Sequence, residues 1–279
     1  VQDNSTTTDG SFTITQGKLE GLALTSLNFD GTDDYVNTNG AFESLFQSSH
    51  TISSWVKLDD GTPSTNDTIL GTFNDGDDRI LFYIGTGGLL TYLYQANGTS
   101  EYAEEASASF TNGATDWIHC VTTIQYNSTS SATMKLYVNG VERTLDVAGG
   151  DDGTFTGNMG NYASSTTAYL GAEHQQSSAD EFFLDGKISD VRLYDYALSS
   201  DQVASLYSNS YNVTPKHWWK IDDGGAHASG SATVEDYGTG TDADGTKSGA
   251  GWLNGTLDLD GALTIAANGT LSAPRGDLD

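Results

Sequence analysis

Two short stretches carry side chains whose chemistry can be named from type and spacing. "FNDGDDRIL" puts Asp75, Asp77 and Asp78 in a turn just ahead of a strand. "LGAEHQQSSADEFF" puts Glu173, Gln175, Gln176, Asp180 and Glu181 in a loop leaving another strand. Calcium takes about six to eight oxygens from carboxylates, amides and backbone carbonyls. Two acidic loops meeting at one rim would supply them, so Asp77, Asp78, Glu173, Gln175 and Asp180 are candidate calcium ligands. Asp30, Asp33 and Asp34 in "FDGTDDYV", with Asp185 or Asp190, form a second acidic group, which turn formation explains better than a metal site does.

Contacts to a sugar would come from aromatic faces that stack on the ring and from amides that bond its hydroxyls. Tyr92, Tyr94 and Tyr102, with Gln95 and Asn97, lie in or just after "LLTYLYQANGTSEYAEE", and Gln176 lies in the second acidic loop. All six are expected to border the rim, although alternate tyrosines also suit an ordinary sheet face. His50, His119, His174, His217 and His227 show neither zinc-ligand spacing nor a paired nucleophile. Cys120 in "WIHCVTTI" reads as a small hydrophobe, and Trp55 and Trp117 read as core. Trp218 and Trp219 are adjacent and must face opposite ways on a strand. Arg275-Gly276-Asp277 is similar to an integrin-recognition tripeptide, a pattern too short to carry function.

Short strands joined by tight turns must position these groups. The chain has 33 Gly and only 3 Pro, and its apolar runs are separated by Thr, Ser, Asn and Asp. In "TMKLYVNGVERTL", Met134, Leu136 and Val138 alternate with Lys135 and Tyr137, and Asn139-Gly140 supplies the positive-φ pair of a hairpin. "LDGKISDVRLYDYALSSDQV" predicts a strand running into a short helix. Val191 and Leu193 share one face, Ile188 falls on the other parity and implies a bulge, and Ser199 with Gln202 makes a capping box. The whole reads as an all-β, two-sheet antiparallel sandwich with one short C-terminal helix. An N-terminal strand-rich arm at 1–21 and a β-rich extension at 212–279 flank it. In the extension "TLDLDGALTI" echoes "SLNFDGTDDYV", so that segment either opens a second repeat or completes the first module.

Over residues 22–209 the motifs "LNFDGTDDYV", "TISSWVKL", "ILGTFNDGDDRILFYI", "DWIHCVTTI", "MKLYVNGVE", "AYLGAE" and "LDGKISDVRLYDYALSSDQV" follow one another in an order that resembles the laminin-G-like, concanavalin A-like jelly-roll superfamily, in the branch that includes pentraxins. The resemblance implies a jelly roll that the last strand and helix seal. Its members bind glycans, proteins or lipid head groups, decorate virions or cleave polysaccharides, so fold alone does not assign function. The similarity to pentraxins implies that Asp77 and Asp78 form a first ligand pair, with Glu173 the acid, His174 a backbone-oxygen ligand and Gln175 standing where that family has Asp. A neutral amide there implies weak calcium binding. The glucanases of the superfamily carry Glu-x-Asp-x-x-Glu, and no Glu in this chain is followed two residues later by Asp, so a polysaccharide hydrolase is disfavoured.

The 38 acidic residues against 11 Lys and Arg give a net charge of -27, which repels nucleic acid and anionic lipid. No apolar run is long enough for a membrane helix. These features favour a non-catalytic carbohydrate-binding adhesion module at an extracellular, cell or virion surface, with a glycan or polysaccharide as partner. The alternative is a structural virion-decoration, fibre or surface-filament subunit that assembles with copies of itself or with other subunits.

Overall fold

A computed structural model describes residues 26–74, 76–176, 179–209, 213–221 and 232–253. Its strands in chain order are β1 (Ser26–Asp30), β2 (Tyr35–Asn37), β3 (His50–Leu58), β4 (Asp67–Asn74), β5 (Asp78–Ile84), β6 (Leu90–Ala96), β7 (Thr99–Glu104), β8 (Ile118–Ser128), β9 (Ser131–Val138), β10 (Val141–Glu142), β11 (Thr154–Phe155), β12 (Tyr169–Leu170), β13 (Glu173–Gln175), β14 (Asp185–Tyr194), β15 (His217–Trp219), β16 (Thr233–Val234), β17 (Gly245–Ser248) and β18 (Gly251–Leu253). They form two sheets. The first runs β10-β9-β8-β3-β14-β1-β18, with β11 on β9 and β15 on β14; the second runs β16-β17-β2-β12-β4-β5-β6-β7, with β13 on β4. All pairs are antiparallel except β13 with β4. The fold is the two-sheet antiparallel sandwich expected from the spacing of strands and turns.

Alternation decides what the core contains. Ile52, Val56, Met134, Leu136, Ile188 and Val191 from the first sheet meet Val36, Leu70, Ile80, Phe82 and Leu170 from the second. Cys120 is buried in the same core. Asn139 and Gly140 have φ of 50° and 80°, the two left-handed residues that the β9–β10 hairpin requires.

The strand before the helix behaves as its parity predicts. Against β3 the register of β14 shifts between Ser189 and Arg192, and Asp190 has φ 54°. That bulge brings Ile188 onto the same core as Val191 and Leu193. It also changes the partner of β14: residues up to Ile188 pair with β1, and Val191 onward with β15. Helix α2 (Ser200–Tyr207), second in order after the single turn α1 (Glu43–Phe46), starts at Ser199, and the reciprocal Ser199–Gln202 capping bonds form as expected. Val203 and Leu206 of α2 pack on Tyr194, Val121 and Tyr137, covering the outer face of the first sheet.

Trp55 and Trp117 are a correction to the sequence reading, since both are only half-buried and lie outside the core. Trp55 points outward and stacks on Tyr207 of α2, with ring centroids 5.6 Å apart. Trp218 and Trp219 do face opposite ways: Trp219 is fully buried in the core, and Trp218 lies between the cations of Arg192 and Lys220.

Residues 213–221 and 232–253 are built into this sandwich. The hairpin β16–β17 extends the second sheet at β2, and β18 extends the first sheet at β1, so one segment closes the same side of both layers. Ile221, Val234, Ala243 and Ala250 join the core. The 1–21 arm, the "TLDLDGALTI" echo, Asp75 and Arg275-Gly276-Asp277 lie outside the described residues.

Candidate functional site

The β4–β5 turn, the β6–β7 turn and β13 meet at one end of the second sheet. β4 lies between β5 and β13, with Asn74 opposite Asp78 on one side and Phe73 level with Gln175 on the other. At ordinary strand spacing, the backbones of Asp78 and Gln175 are about 10 Å apart. The β6–β7 turn, with Asn97 and Gly98 at φ 48° and 75°, packs onto the same rim. Gly98 N–H donates to the Asp77 carbonyl, and Asn97 N–H donates to Asp78 Oδ1 at 3.0 Å. Gln95 Nε2 donates to the Gly76 carbonyl at 2.6 Å.

The carboxylates at this rim are held by the protein's own donors. Glu173 is wholly buried, and its two oxygens accept from Arg79 Nε at 2.5 Å and Arg79 Nη2 at 3.0 Å. Burial raises the Glu173 pKa and the guanidinium opposes that rise. Arg79 reaches Glu173 by lying over the Phe73 ring of β4 at 5.3 Å, with the Phe182 ring at 6.0 Å. Asp180 Oδ1 accepts from His174 Nδ1 at 2.8 Å and from the Gln175 amide at 3.2 Å. Among the described residues, triads of carboxylates within 4.8 Å of one another occur elsewhere: Asp30 with Asp33 and Asp34, and Glu104 with Asp146 and Asp151. Asp185 lies opposite Asp30 on β14, whereas Asp190 is paired with Arg192.

Two of the predicted sugar contacts are corrected. Tyr92 and Tyr94 point into the sandwich and are fully buried. The Tyr92 hydroxyl is 2.7 Å from His50 Nε2, and the Tyr94 hydroxyl donates to the Phe46 carbonyl at 2.7 Å. Inward parity on β6 belongs to Leu90, Tyr92, Tyr94 and Ala96, so the tyrosines fill core volume and satisfy their hydroxyls there. Tyr102 is on the opposite parity, across from Leu93, and is exposed on the outer face. Gln176 is also exposed, its N–H bonded to the Phe73 carbonyl.

The outer face of the second sheet carries an aromatic row that the sequence reading missed. Tyr35 stacks on Tyr169 with centroids 4.4 Å apart and planes 9° from parallel, and Tyr169 stacks on His174 at 4.1 Å and 11°. Asp180 bonds the far end of the row. Tyr35 and His174 are half-buried, and Tyr169 is buried between them. Burial and the neighbouring Tyr35 raise the Tyr169 phenol, so it stays protonated. "YV" after "TDD" and "AYLGAEH" do place single aromatics at outward parity. Their adjacency, though, arises only because β12 pairs with β2 across 132 positions of sequence, as in Tyr169 opposite Asn37.

A family profile described as the concanavalin A-like lectin/glucanases superfamily matches residues 30–204. Curated proteins give no match. Among solved structures, the chain is similar to a proposed carbohydrate-binding protein from Bacteroides ovatus, with 22% identity and a TM-score of 0.57 over 88% of this chain. The match spans 62% of that protein's length. It is also similar to a heptameric SAP-like pentraxin from Limulus polyphemus, at 17% identity and TM-score 0.44, covering 69% of this chain and 84% of the other. A sialidase CBM40 from Ruminococcus gnavus gives 14% identity and TM-score 0.47, covering 68% of this chain and all of that module. The profile covers more than half of the 279 residues, and the two-sheet topology agrees with it, so the chain belongs to the concanavalin A-like lectin/glucanase superfamily.

Proposed function

We propose that this chain is a non-catalytic glycan-binding module of an extracellular, cell or particle surface, and that it takes uncharged glycans on the outer face of the second sheet. The observation that carries this reading is the row Tyr35, Tyr169 and His174, closed by Asp180. Aromatic side chains in the core are explained by burial, whereas the half-buried rings of Tyr35 and His174, stacked on buried Tyr169 at the surface, are suited to sugar C–H faces and hydroxyls. Gln175 follows His174 on the same strand, with its amide turned to Glu173, and exposed Gln176 lies just beyond the strand end; membership of the concanavalin A-like lectin/glucanase superfamily supports the reading without establishing it.

Charge selects the ligand class. Among the described residues, every arginine fork already holds a carboxylate: Arg79 holds Glu173, Arg143 holds Glu105 and Arg192 holds Asp190. A sialic or uronic acid is bound bidentately by such a fork, and would also meet the field of a chain with net charge -27. Calorimetric titration of neutral polysaccharides and their uronic-acid counterparts tests this reading. Neutral ligands are expected to bind, and Tyr35→Ala and His174→Ala each to weaken binding by about tenfold, or ~1.4 kcal/mol. Folded protein that binds no neutral glycan, or variants that bind as well as wild type, would remove the assignment.

A further inference from the structure

The calcium ligands inferred for this rim do not fit the donors found there. Glu173, the most buried acid of the set, turns both oxygens to Arg79. Asp78 Oδ1 is used by the Asn97 amide, and Asp180 Oδ1 by two donors. Gln175 turns its Nε2, a donor, toward Glu173 Oε2 at 3.4 Å. A divalent ion beside Glu173 would share its oxygens with a fixed guanidinium of like charge.

We propose that Arg79 is a built-in cation for this rim: its guanidinium joins β13 to β5 across β4, and the rim takes no calcium. Three features fix the charge in place. Arg79 lies between the Phe73 and Phe182 rings, its Nε and Nη2 match both oxygens of Glu173, and the strand it crosses carries Gly71 level with Glu173. A Cβ at Gly71 would lie 2.9 Å from Glu173 Cα and 3.0 Å from the Ala172 carbonyl, so glycine is what lets β13 approach closely enough for the pair to form. A planar fork can satisfy a buried carboxylate bidentately. An exchangeable ion would instead leave the rim dependent on extracellular calcium in the 10⁻⁴ to 10⁻³ M range, as is roughly typical of such modules. The surface beside it, with His174 and Gln175, is therefore held in shape whether or not calcium is present.

Thermal unfolding of chelator-treated protein, titrated with calcium, tests this in wild type, Glu173→Gln and Arg79→Met. The calcium response is expected to be the same in wild type and Glu173→Gln, because any ion taken up by the other acidic triads is common to both. Arg79→Met is expected to unfold at lower temperature and to expose the 179–184 loop to protease, with Arg79→Lys recovering little because it lacks the fork. A saturable calcium-induced rise in wild type that disappears in Glu173→Gln would overturn the proposal, as would an Arg79→Met variant as stable and protease-resistant as wild type. If Glu173→Gln does not fold, Asp180→Asn takes its place in the same comparison with the same two outcomes. None of these measurements involves a sugar, so their outcome is independent of the glycan reading.

Discussion

Asp67 opens β4 with its side chain almost wholly buried. Its Oδ1 accepts from the Asp185 amide at 3.2 Å, and Oδ2 has no hydrogen-bond partner. Burial first, then the nearby charges of Asp185 and Asp60, push its carboxyl up to about 7. A raised acid pKa means that the folded state prefers the proton: this contribution is complete below the unfolded value near pH 4 and is lost as pH rises through about 7. His50, held near 4 by burial, acts in the opposite sense, favouring the fold above its unfolded value near 6.5 and losing that contribution as pH falls through about 4. Asp67→Asn keeps the Oδ1 acceptor and removes the ionisation. Its unfolding free energy, from urea titration, is expected to match wild type at about pH 4 and to exceed it at about pH 8 by on the order of 4 kcal/mol, about three pKa units at ~1.4 kcal/mol each. Equal midpoints at both pH values would show that the carboxyl ionises freely.

Individual elements depend on positions with little tolerance. Gly249, at φ 70°, joins β17 of one sheet to β18 of the other. A Cβ there would sit 1.7 Å from Asp34 Oδ1, while Asp34 Oδ2 accepts the Asp30 amide of β1 at 3.0 Å. Gly249→Ala therefore strains the backbone and displaces the carboxylate that fixes the β1 turn. A drop in stability of ~1–3 kcal/mol is expected by chemical denaturation. At the bulge of β14, Asp190 accepts from Arg192 Nε at 2.9 Å, Arg192 Nη2 at 3.0 Å and Trp218 Nε1 at 2.6 Å. One buried carboxylate thus ties the strand to β15, and Asp190→Ala would leave Arg192 buried and unpaired. A loss of about 3 kcal/mol or more in stability is expected from that variant, measured the same way.

Residues 213–221 and 232–253 seal one side of the sandwich. They supply one edge strand of each sheet, β18 and β16, and bury Trp219, whose Nε1 donates to the Ala243 carbonyl at 3.0 Å. A chain ending at Asn209 would expose the edges of β1 and β2 and the site vacated by Trp219, with an expected cost of several kcal/mol and a tendency to self-associate through the open strands. Light scattering and thermal unfolding of that truncation check the point; a monomeric fragment as stable as the longer chain would show that the segment is only an attachment. The charge of -27 also implies a global effect, because self-repulsion in the folded state is relieved by salt.

Much of the architecture was legible because strand parity and turn chemistry act locally. Asn139-Gly140 specified its hairpin, Ser199 and Gln202 specified a helix start, and the parity of Ile188 announced the bulge near Asp190. Parity also contained the error over Tyr92 and Tyr94, since alternation tells which residues share a face but not which face is the core. What long-range pairing alone could decide was which side chains meet. Glu173 finds Arg79 rather than a carboxylate neighbour because β13 and β5 flank β4, and Tyr35 finds Tyr169 because β12 docks beside β2. Composition and local spacing dictated an acidic two-layer β-sandwich; the tertiary contacts turned one acidic loop into an arginine-held rim and gathered Tyr35, Tyr169 and His174 into one row, since neither pairing is encoded within any local window of sequence.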